Sequence, residues 1–173
     1  MKASPSTRVD PALSPYVSLL DEAFERKAWH GPNLRGTLRG VTAEEAAWRP
    51  GLGRHSVWEL CIHAAYWKYA VRRLLTGERR GSFPFPGSNW FTRPEGAASA
   101  AAWRKDLTAL GEEHRLLKAA VCRLRARDLG QRPRGSKYTR ARLIQGVAAH
   151  DLYHAGQIQL LKRLRSRPQG AGR

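Results

Sequence analysis

The chain has 173 residues, of which 42% are hydrophobic, so it is the size of one domain that can bury its own core. Its 31 Lys and Arg against 14 Asp and Glu give a net charge of +17, a balance that raises the question of an anionic partner such as nucleic acid. No run of about 18 uncharged apolar residues occurs, and prolines interrupt the first twenty residues. The sequence therefore predicts a cytoplasmic protein with neither a membrane span nor a signal peptide.

Most of the net charge lies in two stretches. Residues 123–142 carry eight basic groups and one acid, and the residues from Lys162 onward carry five basic groups and no acid. These stretches are expected to form a loop with its flanks and a terminus, without interleaved aromatic residues of the kind that stack on bases. The simplest interpretation is an arginine-rich solvated surface, and a nucleic-acid surface is the alternative.

The N-terminal third contains the first helix signals. Residues 1–13 are polar and contain prolines, which predicts a flexible arm. Ser14 before Pro15 predicts a helix with Ser14 as N-cap, and the apolar spacing of "PYVSLLDEAFERKAW" continues it. After a His-Gly-Pro break, a second helical piece is expected from Pro32 to Leu38.

Two capping boxes then mark helix starts. Thr42 and Glu45 predict a short helix that ends before the next proline. Ser56 and Glu59 open the clearest helix of the chain, "HSVWELCIHAAYWKYAVRRLLTG", and Gly77 is its expected C-terminal stop.

The second half predicts one irregular loop and two long helices. "RGSFPFPGSNWFTRPEG" is too rich in Pro, Gly and Ser for regular structure, and its aromatic residues predict a loop packed onto the body. Helices are expected over 97–127 and 139–165, and no strand pattern appears. Four long helices with two long connections predict an all-α four-helix bundle over 14–165, followed by a basic tail at 166–173.

Three histidines lie on apolar helix faces. His150 and His154, in "VAAHDLYHAGQIQLL", are four residues apart and project to one face, and His63 lies on the apolar stripe of another helix. An unpaired buried imidazole costs on the order of 1–3 kcal/mol, which leaves hydrogen-bonded core histidines or metal ligands as interpretations. Three imidazoles with an open fourth position are typical of a catalytic metal site, whereas structural zinc sites usually recruit cysteines. Cys61 and Cys122 are expected to be ordinary buried thiols.

The segments "SVWELCIHAAYWKYAVRRLLTGE", "GSNWF" and "AAHDLYHAGQIQLLK" resemble the DinB/YfiT-like superfamily of bacterial four-helix-bundle metalloproteins. His63, His150 and His154 match its histidine pattern one by one, and the resemblance covers about residues 15–165. It implies one divalent ion, zinc or nickel, held by these three side chains. Some relatives are thiol S-transferases that use bacillithiol, mycothiol or glutathione, and relatives are often homodimers.

Four further residues could contact the ion or a molecule bound to it. Tyr153 and Gln157 flank the histidine pair at helical offsets and could hydrogen-bond a metal-bound water or a substrate; packing or solvent contact is the alternative. His30 and His55 are loop histidines that could approach the ion or lie in solvent.

Several other side chains have two interpretations each. Glu59 could orient His63, or serve only in the capping box. His114 is expected to be a hydrogen-bonded core residue, and Asp151 a surface residue or a partner for arginine. The tryptophans that could wall an apolar substrate pocket, or lie in the core, are Trp58, Trp67 and Trp90.

Two functions of different classes follow. The first is a metal-dependent enzyme whose ion lowers the pKa of a bound thiol or water, so that the nucleophile attacks a small electrophile by S-transfer or hydrolysis. The second is a noncatalytic DNA-damage or stress-associated protein with a structural metal, which binds nucleic acid through its basic surface. Only the first accounts for the buried imidazoles.

Overall fold

The computed structural model describes residues 9–166, and over this range it contains helices and no strand. The helices are α1 (Ser14–Phe24), α2 (Leu34–Leu38), α3 (Ala43–Ala47), α4 (Val57–Thr76), α5 (Ala100–Cys122) and α6 (Arg140–Ser166), with 3-10 turns at Pro11–Leu13 and Ala126–Asp128. The four long helices pack together, α4 against α5 and α6, and α1 against α5 and α6. The prediction of an all-α bundle is confirmed. None of the helices in 9–166 combines the length and the apolar character that crossing a membrane requires.

Both predicted capping boxes are present. The Thr42 side chain accepts a hydrogen bond from the Glu45 amide, and the Ser56 side chain accepts one from the Glu59 amide. Each glutamate returns a bond to the backbone of its N-cap residue, which satisfies amides that a helix start otherwise leaves unpaired. Gly77 ends α4 in the left-handed conformation at φ +78°, as expected for a C-terminal glycine.

The start of α1 differs from the prediction. Its N-cap is Leu13, which has no side chain able to cap, and Ser14 is the first helical residue. Asp10 caps the preceding 3-10 turn instead, and its carboxylate also accepts a hydrogen bond from the Ala126 amide. Leu13 is fully buried. The flexible arm predicted over 1–13 is therefore wrong for its last few residues, which are fixed to the body by these contacts.

Several helices begin or end at other residues than predicted. The first helix ends at Phe24, before Ala28, the last apolar position of the predicted spacing; Trp29, which follows, is 100% exposed. Asn33 caps α2, so that helix begins after it. The helix predicted over 97–127 begins after the Ser99 cap and ends at Cys122. Residues 1–8 and 167–173, which include most of the predicted basic tail, lie outside the described residues.

The aromatic loop between α4 and α5 packs onto the bundle, as predicted. Phe91 is 7% exposed, and Phe83 and Phe85 pack against the same buried cluster. The loop thereby comes to lie beside the face of α4 that carries His63. Cys61 is fully buried in this cluster, and burial raises the pKa of its thiol, so Cys61 is not a nucleophile at neutral pH.

Candidate metal centre

Three imidazole nitrogens converge between α4 and α6. The Nε2 atom of His150 lies 3.1 Å from Nε2 of His63 and 3.0 Å from Nε2 of His154. The helical offset of four residues turns His150 and His154 to the same side of α6, and packing of α4 on α6 brings His63 to meet them. The structure thus brings together the three residues that the sequence predicts as ligands.

The outer nitrogens of two rings are fixed by acceptors. His63 Nδ1 lies 2.7 Å from the Asn89 carbonyl oxygen, and His154 Nδ1 lies 2.6 Å from the Gln157 side-chain oxygen. Because these oxygens only accept, each Nδ1 carries the ring proton, and each Nε2 directs a lone pair to the centre. His150 can bring at most one proton to the two contacts that its Nε2 makes. In at least one of these two contacts, therefore, the lone pairs of two Nε2 atoms face each other at about 3 Å. A cation between the nitrogens satisfies this arrangement.

The electrostatics and the spacing both suit a divalent ion. Burial lowers the pKa of His63 to about 4 and that of His150 to about 3, and it also lowers the pKa of His154. All three rings are therefore neutral at pH 7, the state in which imidazole donates to a metal. Two nitrogens that share an ion at about 2.0–2.1 Å lie about 3 Å apart, as these nitrogens do.

A loop covers one side of the three histidines. The Trp90 indole is stacked between His55 and His63, with ring centroids 3.6 Å and 3.8 Å away. Asn89, in the left-handed region at φ +64°, accepts a hydrogen bond from the Trp67 indole with its side chain while its carbonyl holds His63. His55 therefore lies behind Trp90 and away from the centre. Asn89 was not among the predicted site residues, although the "GSNW" segment shows an asparagine where a turn needs one.

The residues flanking the histidines take different roles. Gln157 orients His154 and donates to the Tyr153 hydroxyl, so the three side chains form one chain of hydrogen bonds. Tyr153 is 63% exposed. The Glu59 carboxylate accepts hydrogen bonds from Arg49 and from the Ser56 amide and lies 3.2 Å from His55 Nδ1. These contacts occupy it at the start of α4, so it does not contact His63 directly.

The family model of the DinB superfamily matches residues 28–158, which is more than half of the chain and includes all three histidines. The chain belongs to the DinB superfamily. The resemblance seen in the sequence is confirmed, and the three-histidine group of this DinB protein could hold a metal ion. No match was found among the curated proteins or among the solved structures.

The expectation for Asp151 is wrong. This DinB chain buries Asp151 completely and pairs its carboxylate with the ammonium of Lys68, which is also fully buried. The reason is that α6 is covered by α1 on one side and by α4 on another, so a residue turned about 100° from His150 still faces the interior. His30, by contrast, is exposed and lines a separate depression with Gln159, to which none of the three histidines contributes.

A second group of possible ligands consists of Asp21, Glu25 and His114. Lys118 lies 2.7 Å from the Asp21 carboxylate, and Arg35 lies 2.6 Å from the Glu25 carboxylate. Both carboxylates are therefore already paired with cations, and the site does not fit a further positive charge.

His114 is buried as predicted but is not hydrogen-bonded. Its ring stacks on Phe24 with centroids 4.0 Å apart, and neither nitrogen makes a hydrogen bond with residues 9–166; the nearest carboxylate is that of Asp21, 3.8 Å from Nε2. Burial lowers the pKa of His114 to about 2, and nearby lysines lower it further. Between about pH 6.5 and pH 2 the unfolded chain binds a proton at this position that the folded chain does not, so stability falls as the pH falls.

We expect His114→Phe to remove this acid sensitivity. Between pH 7 and pH 5 the metal-free wild type should lose about 2 kcal/mol more unfolding free energy than the variant. The reason is that the histidine at position 114 takes up a proton on unfolding and phenylalanine does not. Urea unfolding of both proteins in a chelator at the two pH values measures the difference. A change in packing alone would alter the unfolding free energy by the same amount at both pH values. If the variant lost as much unfolding free energy between pH 7 and pH 5 as the wild type does, the assignment would be contradicted.

Proposed function

We propose that this chain binds one divalent metal ion through His63, His150 and His154 and is a metal-dependent enzyme that acts on a small molecule. The observation that supports it is the convergence of three neutral Nε2 atoms, two of which direct lone pairs to the centre because their Nδ1 atoms donate elsewhere. Core histidines held only by hydrogen bonds would not be arranged with acceptor facing acceptor.

The surrounding residues would orient the ligands and leave room for a substrate. The Asn89 carbonyl and the Gln157 side chain fix two of the rings, and Trp90 shields one side from water. A cavity opens beside His63 and His150 on another side. An ion bound there would supply Lewis-acid activation of a thiol or a water molecule, which supports S-transfer or hydrolysis. Imidazole ligands suit zinc and nickel, and a low-molecular-weight thiol is the proposed cosubstrate.

Metal analysis of purified, untagged protein tests the proposal. We expect about one equivalent of zinc or nickel in the wild type and a nearly complete loss in His150→Ala and His154→Ala, because two nitrogens hold a divalent ion far more weakly than three. His30→Ala is the matched control, since that exposed histidine lies in a different depression. Circular dichroism shows whether each variant is folded.

Two results would refute the metal site. Wild type that binds no metal after reconstitution, or folded His150→Ala that keeps its metal, would refute the three-histidine proposal. The alternative, a noncatalytic nucleic-acid-binding protein, would then be favoured by the net charge of +17, and its affinity should fall steeply with salt. A homodimer and a cytoplasmic location stay predictions from the sequence.

A further inference from the structure

A cavity of about 490 Å³ lies directly beside His63 and His150, between α4 and α6. Most of its wall is apolar. The apolar side chains are Trp67, Val71, Leu143 and Val147. Arg142 and Tyr138 also line the cavity, and Arg142 precedes His150 by about 12 Å along the axis of α6, at a rise of 1.5 Å per residue. The cavity therefore has the histidines toward one end and a cation toward the other.

The charge of this cavity is uncompensated. No aspartate or glutamate lines it, and among residues 9–166 no carboxylate lies within ion-pair distance of Arg142. Arg142 is exposed, and its guanidinium makes no hydrogen bond with residues 9–166, where only its backbone amide is bonded, to Thr139. The guanidinium is therefore available to a ligand. A guanidinium binds a carboxylate with two parallel hydrogen bonds, and the Tyr138 hydroxyl beside it offers another donor.

Gly146 keeps the cavity open. It lies in the interior of α6, where glycine lowers helix stability relative to alanine. Its φ is not in the left-handed region, and a Cβ atom built on it would meet nothing within 4 Å. Neither the backbone nor the packing therefore requires glycine here. The consequence of the missing side chain is the open space in front of His150.

We propose that this cavity binds small carboxylates with an apolar body, and that Arg142 holds the carboxylate while the other end of the molecule points to His63 and His150. The inference rests on the proposed function only in one respect, that the bound molecule would react at the end of the cavity where the histidines lie. The position of Arg142 selects for charge, and the apolar walls select for a body of aromatic or branched aliphatic character.

Calorimetric titration with 2-naphthoate and its uncharged analogue 2-naphthamide tests the inference. We expect naphthoate to bind the wild type about tenfold more tightly than the amide, as one charge-assisted contact allows. Arg142→Gln should abolish that preference. Arg163→Gln, an exposed arginine on the same helix outside this cavity, should retain it. Titrations are made with chelator-treated protein as well as metal-loaded protein, so that binding of the carboxylate to an ion is separated from binding to Arg142.

Gly146→Leu provides a second, steric test. The leucine would fill the open space, so we expect both naphthyl probes to lose at least about tenfold in affinity, as loss of a buried ring contact implies, while the melting temperature stays at or above that of the wild type. Equal affinity for acid and amide, unchanged binding by Arg142→Gln, or no binding of either probe would overturn the inference. Arg142-dependent binding by a protein that takes up no metal would keep this inference and refute the proposed function.

Discussion

Replacing Lys68 with methionine should lower the free energy of unfolding by about 3–5 kcal/mol, because it leaves the Asp151 carboxylate buried without its partner. Both side chains are fully buried, and the Lys68 ammonium also lies 4.7 Å from the centre of the Phe24 ring. Burial already raises the pKa of Asp151 to about 6. Without the lysine this pKa rises further, so the folded variant retains a proton that the unfolded chain releases. The loss of stability should therefore grow as the pH rises.

The double variant Lys68→Met, Asp151→Leu separates a broken ion pair from a packing defect. Replacing both charges with apolar groups of similar size is often neutral, so we expect the double variant to recover most of the stability that Lys68→Met loses. Denaturant unfolding of the wild type, both single variants and the double variant gives the coupling energy. A loss below about 1 kcal/mol in Lys68→Met, the size typical of an exposed pair, would contradict the buried ion pair.

Asp106→Ala is expected to have an effect of similar size, about 3–5 kcal/mol, because one fully buried carboxylate joins two elements. Asp106 accepts hydrogen bonds from the Trp58 indole at 2.7 Å and from Arg93 at 2.7 Å through two nitrogens. Alanine would leave the Trp58 indole unpaired in the interior and would leave Arg93 only its contact with the exposed Glu95. Arg93 belongs to the loop that carries Asn89, so the variant should also lower metal affinity by about 10–100-fold, the range known for residues that orient ligands.

Glu95→Ala is the matched control for this variant. Glu95 pairs with the same Arg93 at 3.0 Å but is 70% exposed, so its removal should change stability by less than about 1 kcal/mol and leave metal affinity unchanged. Chemical unfolding and competitive metal titration with a chromophoric chelator measure the two quantities. Equal effects of Asp106→Ala and Glu95→Ala would show that Asp106 does not anchor the loop.

Local signals in the sequence predicted the helices well. Capping boxes at Thr42 and Ser56 and a glycine at position 77 mark boundaries through bonds between near neighbours, so the chain itself carries that information. The failures at the first helix have a different cause. Ser14 lies beside Pro15 in a pattern typical of an N-cap, yet packing of Leu13 against the bundle starts the helix one residue earlier.

Of the candidate site, the three histidines could be predicted from the sequence and the groups that orient them only in part. Helical periodicity places His150 beside His154, and the apolar stripe of α4 points His63 inward. The Asn89 carbonyl could not be foreseen, because a backbone oxygen has no residue signature. The burial of Asp151 depends on α6 having neighbours on two sides, and Lys68 is 83 residues away in the chain, beyond any local pattern.

The two helices that carry the imidazoles are far apart along the chain. His63 and His150 are separated by 87 residues, yet their Nε2 atoms lie 3.1 Å apart. An ion bound between them would hold the ends of a long loop together only in the folded protein, so its binding free energy would add to the free energy of folding. Metal occupancy would then be coupled to docking of α4 onto α6. An isolated α6 peptide retains His150 and His154 but has no α4 to dock, so its metal binding would not be coupled to folding in this way.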